Sequence, residues 1–172
     1  MLATQICAAV IMTLGMSSAQ NRAVCDYMPT IIEETNKRDI DPILFTSLIF
    51  HESAFRPRVV SSAGACGLTQ VLPQYSKYTC EQLKRPKIAI KAGVAALDYW
   101  LQRTEGKLDN ALCGYNAGNV CVSNPDSKRA RIVKKNYSYS IIELANKIKL
   151  STYEKFYEDF HFFDKVTDDN SY

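Results

Sequence analysis

The sequence predicts a mainly α, single-domain fold, and three observations predict it. The chain has 172 residues, about the size of one ordinary domain and long enough to close a hydrophobic core. Helix-start and helix-stop residues recur along it, at Asp41-Pro42, Pro86, Gly106 and Gly118. No segment shows the sustained alternation of a half-buried strand. With 47% hydrophobic and 23% charged residues, the composition is globular, which excludes disorder, collagen-like repeats and a multi-span membrane protein.

The elements follow in order. Residues 1–19 hold an uncharged apolar run, Ile6 to Met16, then Ser17-Ser18-Ala19. This reads as a signal peptide cut before Gln20, or as an N-terminal apolar segment that is retained. The run is too short for a stable membrane span, which needs about 20 apolar residues. Tyr27 to Lys37 reads as a helix with Met28, Ile31 and Ile32 inward. Asp41 then caps a helix opened by Pro42 and carried by Ile43, Leu44, Phe45, Leu48, Ile49 and Phe50, a pattern for the central buried helix. Pro57 disfavours helix at Arg56, so this helix ends near Ser53 to Phe55.

A run of small residues from Val60 to Gly67 follows, with two glycines that permit tight backbone geometry. A helical turn is expected at Thr69 to Leu72, stopped by Pro73. From Pro86, the spacing Ile90, Val94, Leu97, Leu101 gives a long amphipathic helix that closes at Gly106. A short helix from Asp109 to Tyr115 ends at Gly118, and Asn119 to Asp126 reads as loop. Arg129 to Lys149 resumes helix, with Ile132, Ile141, Ile142, Leu144, Ala145 and Ile148 inward. The remainder, 150–172, is an acidic tail in which Tyr153, Phe156, Tyr157 and Phe160 recur at three- and four-residue spacing. That stripe either packs back on the domain or docks on a partner protein.

The net charge of +3 hides an asymmetry: residues 150–172 carry −4, which leaves +7 on residues 1–149. A basic body suits a polyanion. No nucleic-acid motif accompanies it, so an anionic wall polymer is the expected partner and nucleic acid is not. Of the six cysteines, Cys7 lies in the N-terminal run, leaving Cys25, Cys66, Cys80, Cys113 and Cys121. An exported product would form two disulfides and keep one thiol, with the pairing open. There is no C-x-x-C pair and only His51 and His161, so neither a metal nor another cofactor is expected.

Glu52 is the residue that carries chemistry. At about 100° per residue, Phe45, Leu48, Ile49 and Glu52 fall on one face of the most apolar helix. Burial raises a Glu pKa, and the negative end of the helix macrodipole pushes the same way. Both keep the proton on, as a general acid at neutral pH requires. The alternative is a structural Glu that caps a loop or pairs with Arg56 or Arg58. A zinc-protease reading of His51-Glu52 fails because Phe55 stands where the second histidine ligand would be. A thiol hydrolase built on Cys66 or Cys113 lacks a nucleophile motif.

Glu52-Ser53-Ala54-Phe55-Arg56-Pro57, then Ser61, then Gly64-Ala65-Cys66-Gly67-Leu68-Thr69-Gln70-Val71-Leu72-Pro73, and later Ala111-Leu112-Cys113-Gly114-Tyr115-Asn116-Ala117-Gly118 resemble the soluble lytic transglycosylase family in order and spacing. Arg85 to Gly93 is similar to the family's approach to its long helix. The likeness covers about residues 27–145. It implies a goose-type-lysozyme-like fold for residues 20–149 and a groove for peptidoglycan glycan strands. It also implies Glu52 as the single catalytic acid and base. By the same resemblance Ser61 sits near the acid and the substrate's N-acetyl group, and Gln70 and Leu72 line the groove. Tyr115 would hydrogen-bond near the carboxyl, and Asn116 would support that wall. Two departures are Thr69, where methionine is common, and Val133, where many members have a substrate-binding glutamate.

Ordinary glycosidases use two carboxylates about 5–9.5 Å apart, yet no acidic residue lies between Glu52 and Glu81. One carboxyl suffices if the substrate's own C6 hydroxyl attacks the anomeric carbon, giving a 1,6-anhydro-muramoyl product. If Asp98, Glu105 or Asp109 approached Glu52, the outcome would instead be a hydrolytic lysozyme. The rival from another class is a non-catalytic peptidoglycan-binding component. The setting implied is the periplasm or cell wall, or a phage virion or secretion apparatus that opens the wall locally.

Overall fold

The computed structural model describes the backbone of residues 3–168 and the side chains of residues 3–153. Among them the fold is helical, without a named strand. α1 (Ala3–Leu14) and α2 (Ser18–Asn36) meet at Ser17, whose hydroxyl accepts from the Gln20 N–H while the Gln20 side chain accepts from the Ser17 N–H. That capping box starts α2 nine residues before Tyr27, where apolar spacing alone would begin it. α3 (Pro42–Ser53) opens as the sequence predicts: Asp41 accepts from the Ile43 N–H at 2.8 Å and Pro42 occupies the first turn.

Seven consecutive residues of α3, Ile43 to Ile49, are buried. Such all-round burial marks the central helix of a small domain. α2 and α9 (Tyr139–Asp168) pack on it, and α5 (Pro86–Arg103), packed on α2, shares its core, which joins Phe45, Leu48, Ile90, Leu97, Leu112 and Ile141. α1 joins that core through Ile6, Ala9 and Val10, packed against α2 and α9.

Between α3 and α5 lies a loop with two antiparallel bridges, Val60 to Cys66 and Cys66 to Val71. The helical turn expected at Thr69 to Leu72 lies instead at Pro73–Tyr75, as a 3₁₀ turn. Residues 67–70 form the turn that joins the bridge residues Cys66 and Val71, with Gln70 in left-handed backbone, and proline then serves as a starter and not a stop. Gly67, at φ +76°, is the position where only glycine fits: a Cβ there would lie 1.9 Å from the Leu83 carbonyl oxygen. Leu83 belongs to α4 (Cys80–Leu83).

α6 (Leu108–Ala117) stops at Gly118, as expected. The segment read as loop contains one short helix, α7 (Val120–Ser123). α8 (Lys128–Val133) runs into a π-helical segment, Lys134–Ser138, before α9. Ile132, expected inward, is 51% exposed. Ala130 and Lys134 take the buried face of this stretch, which turns Ile132 outward.

All six cysteines pair: Cys7–Cys25, Cys66–Cys80 and Cys113–Cys121. The expected leftover thiol is absent because Cys7, set aside with the N-terminal run, meets Cys25 across the α1–α2 hairpin. Among the described residues no helix is long and apolar enough to cross a membrane. Of the tail stripe, Tyr153 is exposed; the side chains of Phe156, Tyr157 and Phe160 lie outside the described residues.

Candidate active site

The site is built where α3 stops. Ala54 and Phe55 both adopt left-handed backbone, at φ 48° and 60°, a region that residues with a Cβ avoid. Such conformations persist only where their surroundings fix them. Here Phe55 is fully buried, and the Ser53 hydroxyl donates to the Leu68 carbonyl at 2.8 Å. Arg56 Nε donates to the Ser53 carbonyl at 2.9 Å, and the Gln20 amide donates to the Ala54 carbonyl at 2.9 Å. The end of α3 is therefore tied to α2 and to the following loop, and Glu52 is held with it.

Burial pushes the Glu52 pKa up to about 7, opposed by a hydrogen bond from Tyr137. The Tyr137 hydroxyl donates to Glu52 Oε1. Arg56, considered above as an ion-pair partner, is spent on the Ser53 carbonyl, and Arg58 acts on Glu81. Glu52 is thus a carboxyl that holds its proton well above the ordinary carboxylate range, with a phenol as its hydrogen-bond partner. The Tyr137 ring meets His51 edge-on, centroids 4.8 Å apart, and partial burial pushes the His51 pKa down.

Tyr115 does not bond to Glu52; its hydroxyl donates to the Thr69 carbonyl at 2.7 Å. It remains near enough that the Glu52 carboxylate, after burial, helps raise its pKa well above the usual value, and the same two causes act on Tyr137. Both phenols stay neutral donors. Thr69, one of the two departures from the resemblance, is buried, its hydroxyl bonded to the Ala89 carbonyl at 2.9 Å.

Gln70, Leu72, Tyr115 and Asn116 line one cavity of about 940 Å³. Glu52 and Ser61 are outside its lining, and Tyr115 is the residue that both touches the cavity and senses Glu52. Gln70 shapes the wall as well as lining it. At φ 48° it donates through its amide to the Val59 and Gly67 carbonyls, at 3.1 and 2.9 Å. The Ser61 hydroxyl accepts from the Ala65 N–H at 3.0 Å, inside the small-residue turn. Asp98, Glu105 and Asp109 are engaged with Arg38, Lys107 and Lys134 at 3.5, 3.8 and 3.2 Å.

Tyr137 is the site residue that motif reasoning missed. A signal existed: Tyr137, Ile141, Ala145 and Ile148 are spaced as one helical face, and all four are buried. The π segment that carries Tyr137 widens the helix at this point, a feature common at functional sites.

The model of the transglycosylase SLT domain family matches residues 29–138. The chain belongs to that family. The match begins within α2 and ends with the π segment, so it contains Glu52, the cavity and Tyr137. A soluble lytic murein transglycosylase of Salmonella typhimurium is 29% identical over 103 residues, which are 54% of this chain and 16% of that protein. The chain therefore spans about a sixth of the length of that relative. Among solved structures, an inactive mutant of the lytic transglycosylase Slt from Pseudomonas aeruginosa aligns with a TM-score of 0.56 and 24% identity, over 72% of this chain and 22% of that one. The 70 kDa soluble lytic transglycosylase of Escherichia coli aligns with a TM-score of 0.55 and 23% identity, over 78% and 24%. These likenesses identify the fold of this SLT domain as the lysozyme-like one of lytic transglycosylases.

Proposed function

We propose that this SLT domain is a peptidoglycan lytic transglycosylase that cleaves the MurNAc-GlcNAc β-1,4 bond with Glu52 as its acid and base. The observation that carries the reading is the carboxyl itself: partly buried at the end of an apolar helix, raised to about 7 and bonded to a neutral phenol. Protonated Glu52 gives its proton to the leaving glycosidic oxygen. The substrate's C6 hydroxyl then forms the new bond to the anomeric carbon and yields its proton to the Glu52 carboxylate. The acid is regenerated, no water is consumed, and the product is a 1,6-anhydro muramoyl end. Ser61, Gln70, Leu72, Tyr115 and Asn116 are proposed to bind the strand, and Tyr137 to position the acid.

Dye release from purified peptidoglycan by wild type and Glu52→Gln tests the reading. Loss of release in a variant that melts no lower than wild type supports it. Equal release by both proteins defeats it, and no release by either leaves a wall-binding component. Mass analysis of released muropeptides separates the chemistries: products lighter by one water mark the transglycosylase, and reducing ends mark a lysozyme.

Three disulfides support delivery to an oxidising compartment, the periplasm or cell wall. For residues 1–19, the burial of Ile6 and Val10 and the Cys7–Cys25 bond favour retention as the first helix over removal before Gln20. The N-terminal mass of the mature protein decides between them. Local wall opening for a phage virion or secretion apparatus, with residues 150–172 as the docking tail, is proposed on the acidic, aromatic pattern of that segment. Deleting residues 150–172 should then leave dye release intact and abolish co-assembly.

A further inference from the structure

Besides Gln70, Leu72, Tyr115 and Asn116, the cavity is lined by residues that the resemblance gave no role. Two residues of α5 stand there. Tyr99 is half exposed, and Trp100, the single tryptophan of the chain, meets it edge-on with centroids 5.1 Å apart. Both line the cavity. Their placement is built in: a Cβ at Gly114 on α6 would lie 2.5 Å from the Trp100 ring, so glycine lets the indole pack this close to that helix. The Arg103 guanidinium, which is not part of the cavity lining, sits 5.5 Å from the Tyr99 ring centroid and 6.0 Å from that of Trp100, and its Nη1 donates to the Tyr99 hydroxyl at 3.3 Å. A sugar ring has an apolar face of C–H groups, and a fixed aromatic surface in a groove is what such a face stacks on.

The charge of the lining is one-sided. Arg38, Lys77, Lys91 and Arg129 line the cavity together with Tyr99 and Trp100, and no Asp or Glu does. Arg38 is shared with Glu34 and Asp98, and Lys91 acts on Glu33, a carboxylate already bonded to Lys37 and outside the lining, so Lys91, Lys77 and Arg129 set the field. A concave wall of one sign concentrates ligands of the other. A neutral N-acetylglucosamine polymer would gain nothing from it, whereas a glycan whose muramyl residues carry lactyl-peptide carboxylates would.

We infer that the Tyr99–Trp100 end of the cavity is a subsite that stacks a sugar and selects, through Lys91 and its cationic neighbours, glycan strands bearing acidic peptide substituents. This deepens the proposed function and rests on it for the ligand class.

The test uses the full chain carrying Glu52→Gln, so that ligand survives, and reads the emission of Trp100. The probes are chitotetraose and a four-sugar peptidoglycan fragment with its stem peptides. Both should change the emission, with the acidic fragment binding roughly two- to fivefold tighter for each cation engaged. That preference should vanish at about 0.5 M salt and shrink in Lys91→Glu. Tyr99→Ala should weaken both probes. Equal affinities for the two probes that Lys91→Glu does not change would overturn the selection. Unchanged emission with either probe, in a protein whose wild type still releases dye, would overturn the subsite. If emission responds but wild type and Glu52→Gln release dye equally, the catalytic reading fails and the binding inference stands.

Discussion

At the scale of single residues, the role proposed for Glu52 would couple activity to pH. An acid that acts only while protonated predicts that turnover falls as pH rises through about 7. Tyr137 lowers that pKa by bonding to the carboxylate. Tyr137→Phe should therefore move the alkaline limb of the rate profile to higher pH, and a purely structural role for the tyrosine would leave the limb in place. The same shift has a stability consequence. The native pKa lies above the ordinary 4.5, so the native state binds this proton more tightly than the unfolded chain does. Nothing is lost below about pH 4.5, and stability declines as pH climbs from there through about 7. Urea melts should show Glu52→Gln more stable than wild type by about 1–3 kcal/mol near pH 8 and equal to it near pH 4.

At the scale of elements, the loop between α3 and α5 depends on one close approach. Gly67→Ala would combine a left-handed backbone with a collision against the Leu83 carbonyl. Thermal unfolding should register a loss of more than about 2 kcal/mol, together with weaker ligand binding as Gln70 and Leu72 shift. The elements also show what was legible in the sequence. Asp41-Pro42 and Gly118 announced the start of α3 and the end of α6, because capping is local chemistry written in neighbouring residues. Glu52 was legible for the same reason: its phase on α3 is set by residues within two turns. The π segment was not, since an extra residue inside a helical turn leaves no mark in side-chain propensity. With it went the role of Tyr137, which lies 85 positions from its partner, and the outward turn of Ile132. Parity misled for the cysteines, because Cys7 belonged to a helix whose packing only the tertiary structure displays.

At the scale of the whole molecule, α1 is the element whose loss should be felt most widely. It packs on α2 and α9, and its Ile6 and Val10 are fully buried. A chain that starts at Gln20 would expose their partners and leave Cys25 without its mate. Differential scanning should find its melting temperature lower by roughly 10 °C or more. The order of the bridges carries a separate implication. Each cysteine joins the next one along the chain, at separations of 18, 14 and 8 residues, one of the 15 arrangements open to six cysteines. No bridge has to wait for a distant segment, and none encloses or crosses another. A chain emerging into an oxidising space from its N-terminus could close them one after another as they appear, so its maturation should need an oxidant but little reshuffling by an isomerase.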